Sequence, residues 1–469
     1  MRVEWAGSGP ELLVTIDRGG ATGLRTQLED QLRAAIRAGR LAGGEPLPSS
    51  RELARALGLS RGLVQDAYAQ LQAEGYLTSR PGSATRVAAA AATPAAASPE
   101  PAGPPDRHRV ADFRHGVPDL GLAPREAWAW AMREVCRTAP DTAFDYGEAA
   151  GRPRLRAVLA SYLTRVRAVV ATPGDLLVCA GMQQALSLVT TVLAAEGIGT
   201  VAFEDPGSFA GLAGTPVPVD EHGLDVAALR RRGARAVLVT PAHQWPTGVV
   251  LSGERRLELI SWARDCDGFV IEDDYDAEFR YDRDPVGSLQ GLAPDRVISL
   301  GTVSKSLTPA LRLGWIVAPA RLLAPLTRVK NLADRGSPGL DQLALALLLE
   351  SGRYDRHLRK VRAEYAARRE TLVTTLSRLA PGLPVTGLAA GFHAILHLPA
   401  GTSEAAFVAA AARRGVGLYG MAALHRTVTD PPPRLILGFG NTSRHEIEAG
   451  LSAVADLLRD PTRAGSGGG

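Results

Sequence analysis

The chain has no run of 18 or more apolar residues among its 469, so no membrane-spanning helix is expected. Its first residues, Met1-Arg2-Val3-Glu4-Trp5, lack the basic start and apolar core of an export signal. Cysteine is scarce. Cys136, Cys179 and Cys266 lie far apart and fit no metal or redox spacing, so they read as free or buried thiols of a reducing compartment. A cytoplasmic protein is expected. Net charge is only +4, too small to announce a nucleic-acid binder by itself. Lysine is nearly absent: of 53 basic residues only Lys305, Lys330 and Lys360 are lysines. Chemistry that needs a primary amine has three candidates.

What is present is ordinary for a globular protein, with 45% hydrophobic and 22% charged residues. The length suggests two or three domains. Residues 88–110 begin as a tract dominated by Ala, Pro, Ser and Gly, which cannot bury enough surface to fold and reads as a linker. It separates a small unit, residues 1–87, from a large one, residues 111–462. The Gly-rich residues 463–469 read as a disordered tail.

In the small unit Leu24, Leu28, Leu32 and Ile36 recur every four residues and predict a helix over 22–38. Residues 51–57 follow as a second helix, with a serine N-cap and Gly58 as its stop. Ser60 caps a third helix over 61–73, whose apolar face is Leu63, Val64, Ala67, Tyr68 and Leu71. Two short strands, 76–79 and 84–87, flank a turn at 80–83. Helix, helix, turn, helix, hairpin is the order of a winged helix-turn-helix. Arg61 and Gln65 point away from the apolar stripe and could reach base edges or phosphates. Arg51, in the first turn of the preceding helix, suits a phosphate contact. The bland alternative is a three-helix domain with a solvated face. Eleven arginines against nine acids over residues 1–87 do little to separate the two.

The large unit carries short, non-alternating apolar runs at 175–180, 200–203, 234–239, 268–271, 296–300 and 314–317, most of them separated by helical stretches. Such strands predict an α/β fold with a parallel sheet buried on both faces. Ligands of such sheets bind beyond the carboxyl ends of the strands. Three chemically loaded segments fall there. Gly181-Met182-Gln183 opens a helix and offers free backbone N–H groups to a phosphate. Glu272-Asp273-Asp274-Tyr275-Asp276 packs four carboxylates against a buried strand end. That is costly unless they are paired, capping or metal-bound. Gly301-Thr302-Val303-Ser304-Lys305-Ser306, with Arg312 seven residues on, suits a phosphorylated aldehyde. The lysine would condense with the aldehyde, and the hydroxyls and arginine would hold the phosphate. Lys330 and Lys360 lie in stretches that read as charged helical faces.

Residues 22–87, with Leu47-Pro48-Ser49-Ser50-Arg51-Glu52-Leu53-Ala54, Leu57-Gly58-Leu59-Ser60-Arg61 and Glu74-Gly75-Tyr76-Leu77, resemble the DNA-binding domain of the GntR regulators. Ala84 stands where that wing usually has a second glycine. The large unit resembles the fold-type I, aspartate-aminotransferase-like enzymes that use pyridoxal 5'-phosphate (PLP). Together with Thr240-Pro241-Ala242-His243-Gln244-Trp245-Pro246-Thr247-Gly248, the two units resemble the MocR subfamily of GntR regulators.

The resemblance implies a PLP set of Lys305, Asp273 at the ring nitrogen and Tyr275 at the ring hydroxyl. Met182, Gln183, Thr302, Ser304 and Arg312 would hold the phosphate, with Phe209 and His243 nearby. Arg434 would bind the carboxylate of an amino-compound effector; read without the resemblance it is a strand-end surface arginine. The DNA set is Arg51, Ser60, Arg61, Gln65, Arg80 and Gly82. Two departures stand out: Ser208 replaces a usual aromatic, and Ala168 replaces a usual glycine. The implied protein is a domain-swapped homodimeric regulator of double-stranded DNA whose aminotransferase-like domain serves as a sensor. Control of vitamin B6 synthesis is the first expectation, and γ-aminobutyrate or taurine use the alternative. A working aminotransferase with an accessory DNA-binding domain, and a sensor that no longer binds PLP, also fit these residues.

Overall fold

The computed structural model describes residues 2–3, 14–79, 84–89, 109–207, 214–276, 278–281 and 286–461. The chain divides into two units, Met1–Pro105 and Asp106–Gly469.

The small unit has helices Leu24–Arg37, Ser50–Leu57 and Arg61–Ala73, then the antiparallel strands Leu77–Thr78 and Arg86–Val87. Local chemistry sets these boundaries. Ser49 and Glu52 form a reciprocal capping box at the second helix. Gly58 ends that helix at φ 63°, where a side chain would be strained. The Ser60 hydroxyl accepts the Leu63 N–H and starts the third. Leu28, Leu32 and Ile36 of the first helix meet Val64, Ala67 and Leu71 of the third in one core. Each fully buried leucine there contributes about 1.5–3 kcal/mol. A further strand pair, Arg2–Val3 with Val14–Thr15, precedes the helices and was not expected.

The large unit is built on an eight-stranded sheet. From one edge the order is Leu176–Cys179, Gly314–Val317, Val297–Thr302, Phe269–Asp274, Ala236–Val239, Val201–Asp205, Gly214–Asp220 and Gly223–Leu224. The centre is parallel, as expected. The expectation of a parallel sheet needs correction towards its edges, because Gly314–Val317 runs antiparallel to both neighbours and Gly223–Leu224 runs antiparallel to Gly214–Asp220. The segment before Gly314–Val317, 303–313, holds only the 3-10 turn Pro309–Leu311. Without a crossover helix the chain turns straight back. Two strands also run further than the apolar runs suggested. Glu272, Asp273 and Asp274 lie on Phe269–Asp274, and Thr302 closes Val297–Thr302.

A second, four-stranded antiparallel sheet orders Val385–Thr386, His393–His397, Arg434–Gly438 and Tyr419–Gly420. The 27-residue helix Arg353–Leu379 precedes it in the chain. Among the described residues no helix is long and apolar enough to cross a membrane.

Candidate cofactor cavity and nucleic-acid helix

The carboxyl ends of Val297–Thr302 and Phe269–Asp274 meet the start of helix Met182–Ala195 at a cavity of about 480 Å³. Met182, Gln183, Asp273, Tyr275, Thr302, Ser304, Lys305 and Arg312 all line it. Residues more than 100 positions apart in sequence therefore share one space. Lys330 does not. It is fully buried rather than on a charged surface face, and its ammonium is held by Asp334 at 2.6 Å and Ser337 at 3.1 Å. Lys360 is exposed on Arg353–Leu379. Lys305 is the lysine of the cavity.

The carboxylate run resolves into four separate duties. Glu272 is buried and accepts the Ser288 hydroxyl and the N–H groups of Leu289 (2.8 Å) and Gln290 (3.2 Å), which anchors the following loop. Asp274 receives two hydrogen bonds from Arg167, at 2.7 and 2.8 Å. Asp276 lies 2.8 Å from His243 Nδ1. Asp273 alone of the four turns to the cavity, and its Oδ1 is buried with no hydrogen-bond partner among the described residues. Burial, then the neighbouring Asp274 and Asp276, push the Asp273 carboxyl up to about 8. Burial also lowers the Lys305 ammonium from its ordinary value, against the pull of Asp273 and Asp276. The lysine amine donates to the Gly116 carbonyl. An amine of lowered basicity is a better nucleophile near neutrality.

The opposite wall is an anion cradle. Helix Met182–Ala195 starts at Gly181 with no side-chain cap, so its first N–H groups are not claimed by one. Gly181 sits at φ 84°, and a β-carbon there would lie 3.5 Å from the Arg312 guanidinium. Arg312 itself adopts φ 50°, a conformation that costs a non-glycine residue about 1 kcal/mol or more. Its backbone N–H donates to the Pro309 carbonyl at 3.3 Å, and its guanidinium has no hydrogen bond or ion pair among the described residues. Thr302 donates its hydroxyl to the Leu313 carbonyl at 3.1 Å and accepts the Ser304 N–H at 3.1 Å. Its single proton is thus spent on shaping the turn, 2.8 Å from the Ser304 hydroxyl.

Other expected residues lie elsewhere. His243 stands behind Tyr275, whose hydroxyl donates to the His243 carbonyl at 3.1 Å, and is not in the cavity lining. Arg434 begins strand Arg434–Gly438 and is also outside the lining. It is half-buried, its Nε has no partner among the described residues, and its backbone N–H donates to Glu404 at 2.6 Å. Phe209 and Ser208 fall outside the described residues, as do Arg80 and Gly82. Ala168 takes the left-handed turn at φ 53° that a glycine would adopt without strain. Glu204 and Trp245 also line the cavity and are not among the expected site residues. Burial pushes the Glu204 carboxyl up to about 7, opposed by hydrogen bonds from Thr240 and Gln244. Its position at the end of the 200–203 apolar run was the available signal.

In the small unit, Val64, Ala67, Tyr68 and Leu71 turn the third helix inward. Ser60, Arg61 and Gln65 remain exposed, and so does Arg51 on the second helix. Arg51, Arg61 and Gln65 have no side-chain partner among the described residues. The open face of this helix therefore begins with unpaired donors, as a groove-reading helix requires.

Residues 24–87 match the model of the bacterial regulatory proteins of the gntR family, and residues 110–453 match aminotransferase class I and II. The pyridoxine biosynthesis regulator PdxR of Corynebacterium glutamicum is 32% identical over 96% of this chain and 99% of its own. The probable rhizopine catabolism regulatory protein MocR of Rhizobium meliloti is 32% identical over 94% and 95%. The chain belongs to the MocR subfamily of GntR regulators. In this MocR-type regulator the DNA-binding and aminotransferase-like parts are the two units already described. Among solved structures, α-aminoadipate aminotransferase LysN of Thermus thermophilus, complexed with a phosphopyridoxyl-leucine, aligns at TM-score 0.66. It is 26% identical and covers 74% of the regulator and 92% of its own chain.

Proposed function

We propose that this regulator binds PLP around Lys305 and that occupancy of the cavity alters its hold on operator DNA. One observation carries the reading. An amine of lowered basicity, an orphaned carboxylate oxygen, an unpaired guanidinium and a helix start without a side-chain cap converge on one cavity. These groups are complementary to an aldehyde, a ring nitrogen and a phosphate. Lys305 would take the aldehyde, Asp273 the protonated ring nitrogen and Tyr275 the ring hydroxyl. Arg312, Ser304 and the N–H groups of Met182 and Gln183 would hold the phosphate, with Thr302 fixing Ser304 in place. When bound, PLP supplies an electron-withdrawing ring. Phe209 stays in the proposed wall, and Arg434 is proposed for the carboxylate of an amino-compound effector.

The aminotransferase-like unit is proposed to act as a sensor rather than as an enzyme, and PLP synthesis is the proposed pathway. Operator binding with and without PLP tests this, beside a transamination assay over amino donors and keto acids. PLP is expected to shift operator affinity or footprint. Rapid multiple turnover with no effect of PLP on DNA would sink the sensor reading. Arg61→Ala is expected to weaken operator binding by about 1–3 kcal/mol while PLP absorbance stays intact. Unchanged affinity would count against the recognition helix. A domain-swapped homodimer is part of the proposal; a monomer in sedimentation at micromolar concentration would remove it.

A further inference from the structure

Helix Arg353–Leu379 carries eight basic residues against three acids, an excess of five, while the whole chain nets +4. This concentration of charge lies on the aminotransferase-like unit. Some of it is spent: Arg368 pairs with Asp119 and Glu364, and Arg353 covers Trp130 at 4.1 Å. The rest is not. A groove of about 750 Å³ runs along this helix, lined by Arg280, Arg359, Arg362 and Arg369, with Glu370 as its one acid among the described residues.

Three of these guanidiniums meet no carboxylate among the described residues. Arg359 is exposed and without a partner among the described residues. Among the described residues Arg362 donates only to the Glu278 carbonyl, at 2.9 and 2.6 Å. Arg369 donates to the Leu388 carbonyl at 2.8 Å and leans on the Tyr281 ring. Backbone carbonyls pin a guanidinium without cancelling its charge. They leave further N–H groups in fixed orientation, which is the requirement for a phosphate receptor. From Arg359 to Arg369 the helix rises about 15 Å. A DNA strand offers one phosphate per about 3.4 Å of axis, so the row spans roughly four.

We propose that this groove binds backbone phosphates of double-stranded DNA, as a second and sequence-independent contact beyond the winged helix. The proposal rests on the DNA-binding reading but uses a different surface. Its test is the salt dependence of binding by the full-length, PLP-loaded protein to an operator duplex and to an unrelated duplex. Each lost phosphate contact lowers the log–log salt slope by about 0.9. Arg359→Gln is therefore expected to lower it by about 0.9, and Arg359→Gln with Arg369→Gln by about 1.8, with affinity falling by the same factor on both duplexes. PLP absorbance should not change. Arg359 is exposed and has no partner among the described residues, so its single variant does not endanger the fold. An unchanged slope and affinity in both variants would overturn the proposal. So would a thermal stabilisation by inorganic phosphate at constant ionic strength that disappears in Arg359→Gln while the DNA slope stays fixed; that result would mark a small-anion site. Arg61→Ala distinguishes the two readings, since its operator defect persists if only the groove proposal fails.

Discussion

Lys305→Ala is expected to abolish the PLP absorbance band near the visible edge and to leave any bound PLP removable by dialysis. Lys330 is buried with its charge held by Asp334, and Lys360 is exposed on another helix. Neither lines the cavity. The anion cradle at Arg312 and Gly181 is untouched by the substitution, so weak, reversible PLP binding should survive while covalent attachment does not. Any PLP effect on operator binding should weaken in parallel. The measurement is the absorbance spectrum before and after exhaustive dialysis, with DNA titrations of both states. A band that persists in Lys305→Ala would mean that another amine holds the aldehyde. A wild-type protein with no band at all would mean that the sensor no longer takes PLP.

Much of this site could be read from residue order because its signals are local. A glycine turn opening a helix, a hydroxyl-flanked lysine after an apolar run and a carboxylate at a strand end each occupy a few residues. The helices of the small unit were equally legible, since a four-residue apolar period and capping serines act within one turn. What escaped depends on distant partners. Glu204 is a buried carboxyl made tolerable by Thr240 and Gln244, 36 and 40 residues away. Lys330 looked like a surface charge, yet Asp334 one turn on, itself at the surface, neutralises it and lets the lysine turn inward. The direction of Gly314–Val317 was invisible because an apolar run has no polarity of its own. Only the shortness of the 303–313 connection betrays it. Of the four acids in 272–276, nothing in their order distinguishes the one left unpaired from the three that Arg167, His243 and the Ser288 turn consume.

That unpaired acid yields the second large effect. In the protein without PLP, Asp273 keeps its proton up to about 8, whereas an unfolded aspartate loses it near 4. Between those values the unfolded chain binds fewer protons than the folded one. Stability contributed by Asp273 is therefore complete at low pH and is lost as pH rises from about 4 to 8. Asp273→Asn removes this slope. At pH 8 the PLP-free variant should be more stable than wild type, by on the order of 1–3 kcal/mol once the solvent reaching the cavity is allowed for. With PLP the order should reverse. A protonated ring nitrogen would give the wild-type carboxylate a countercharge and hold it ionised, while the amide offers no charge to match. Thermal melts of both proteins at pH 5 and pH 8, with and without PLP, give the four comparisons required. If Asp273→Asn loses stability at pH 8 without PLP, the acid is serving a structural partner. If PLP stabilises both proteins equally, Asp273 does not face the ring nitrogen.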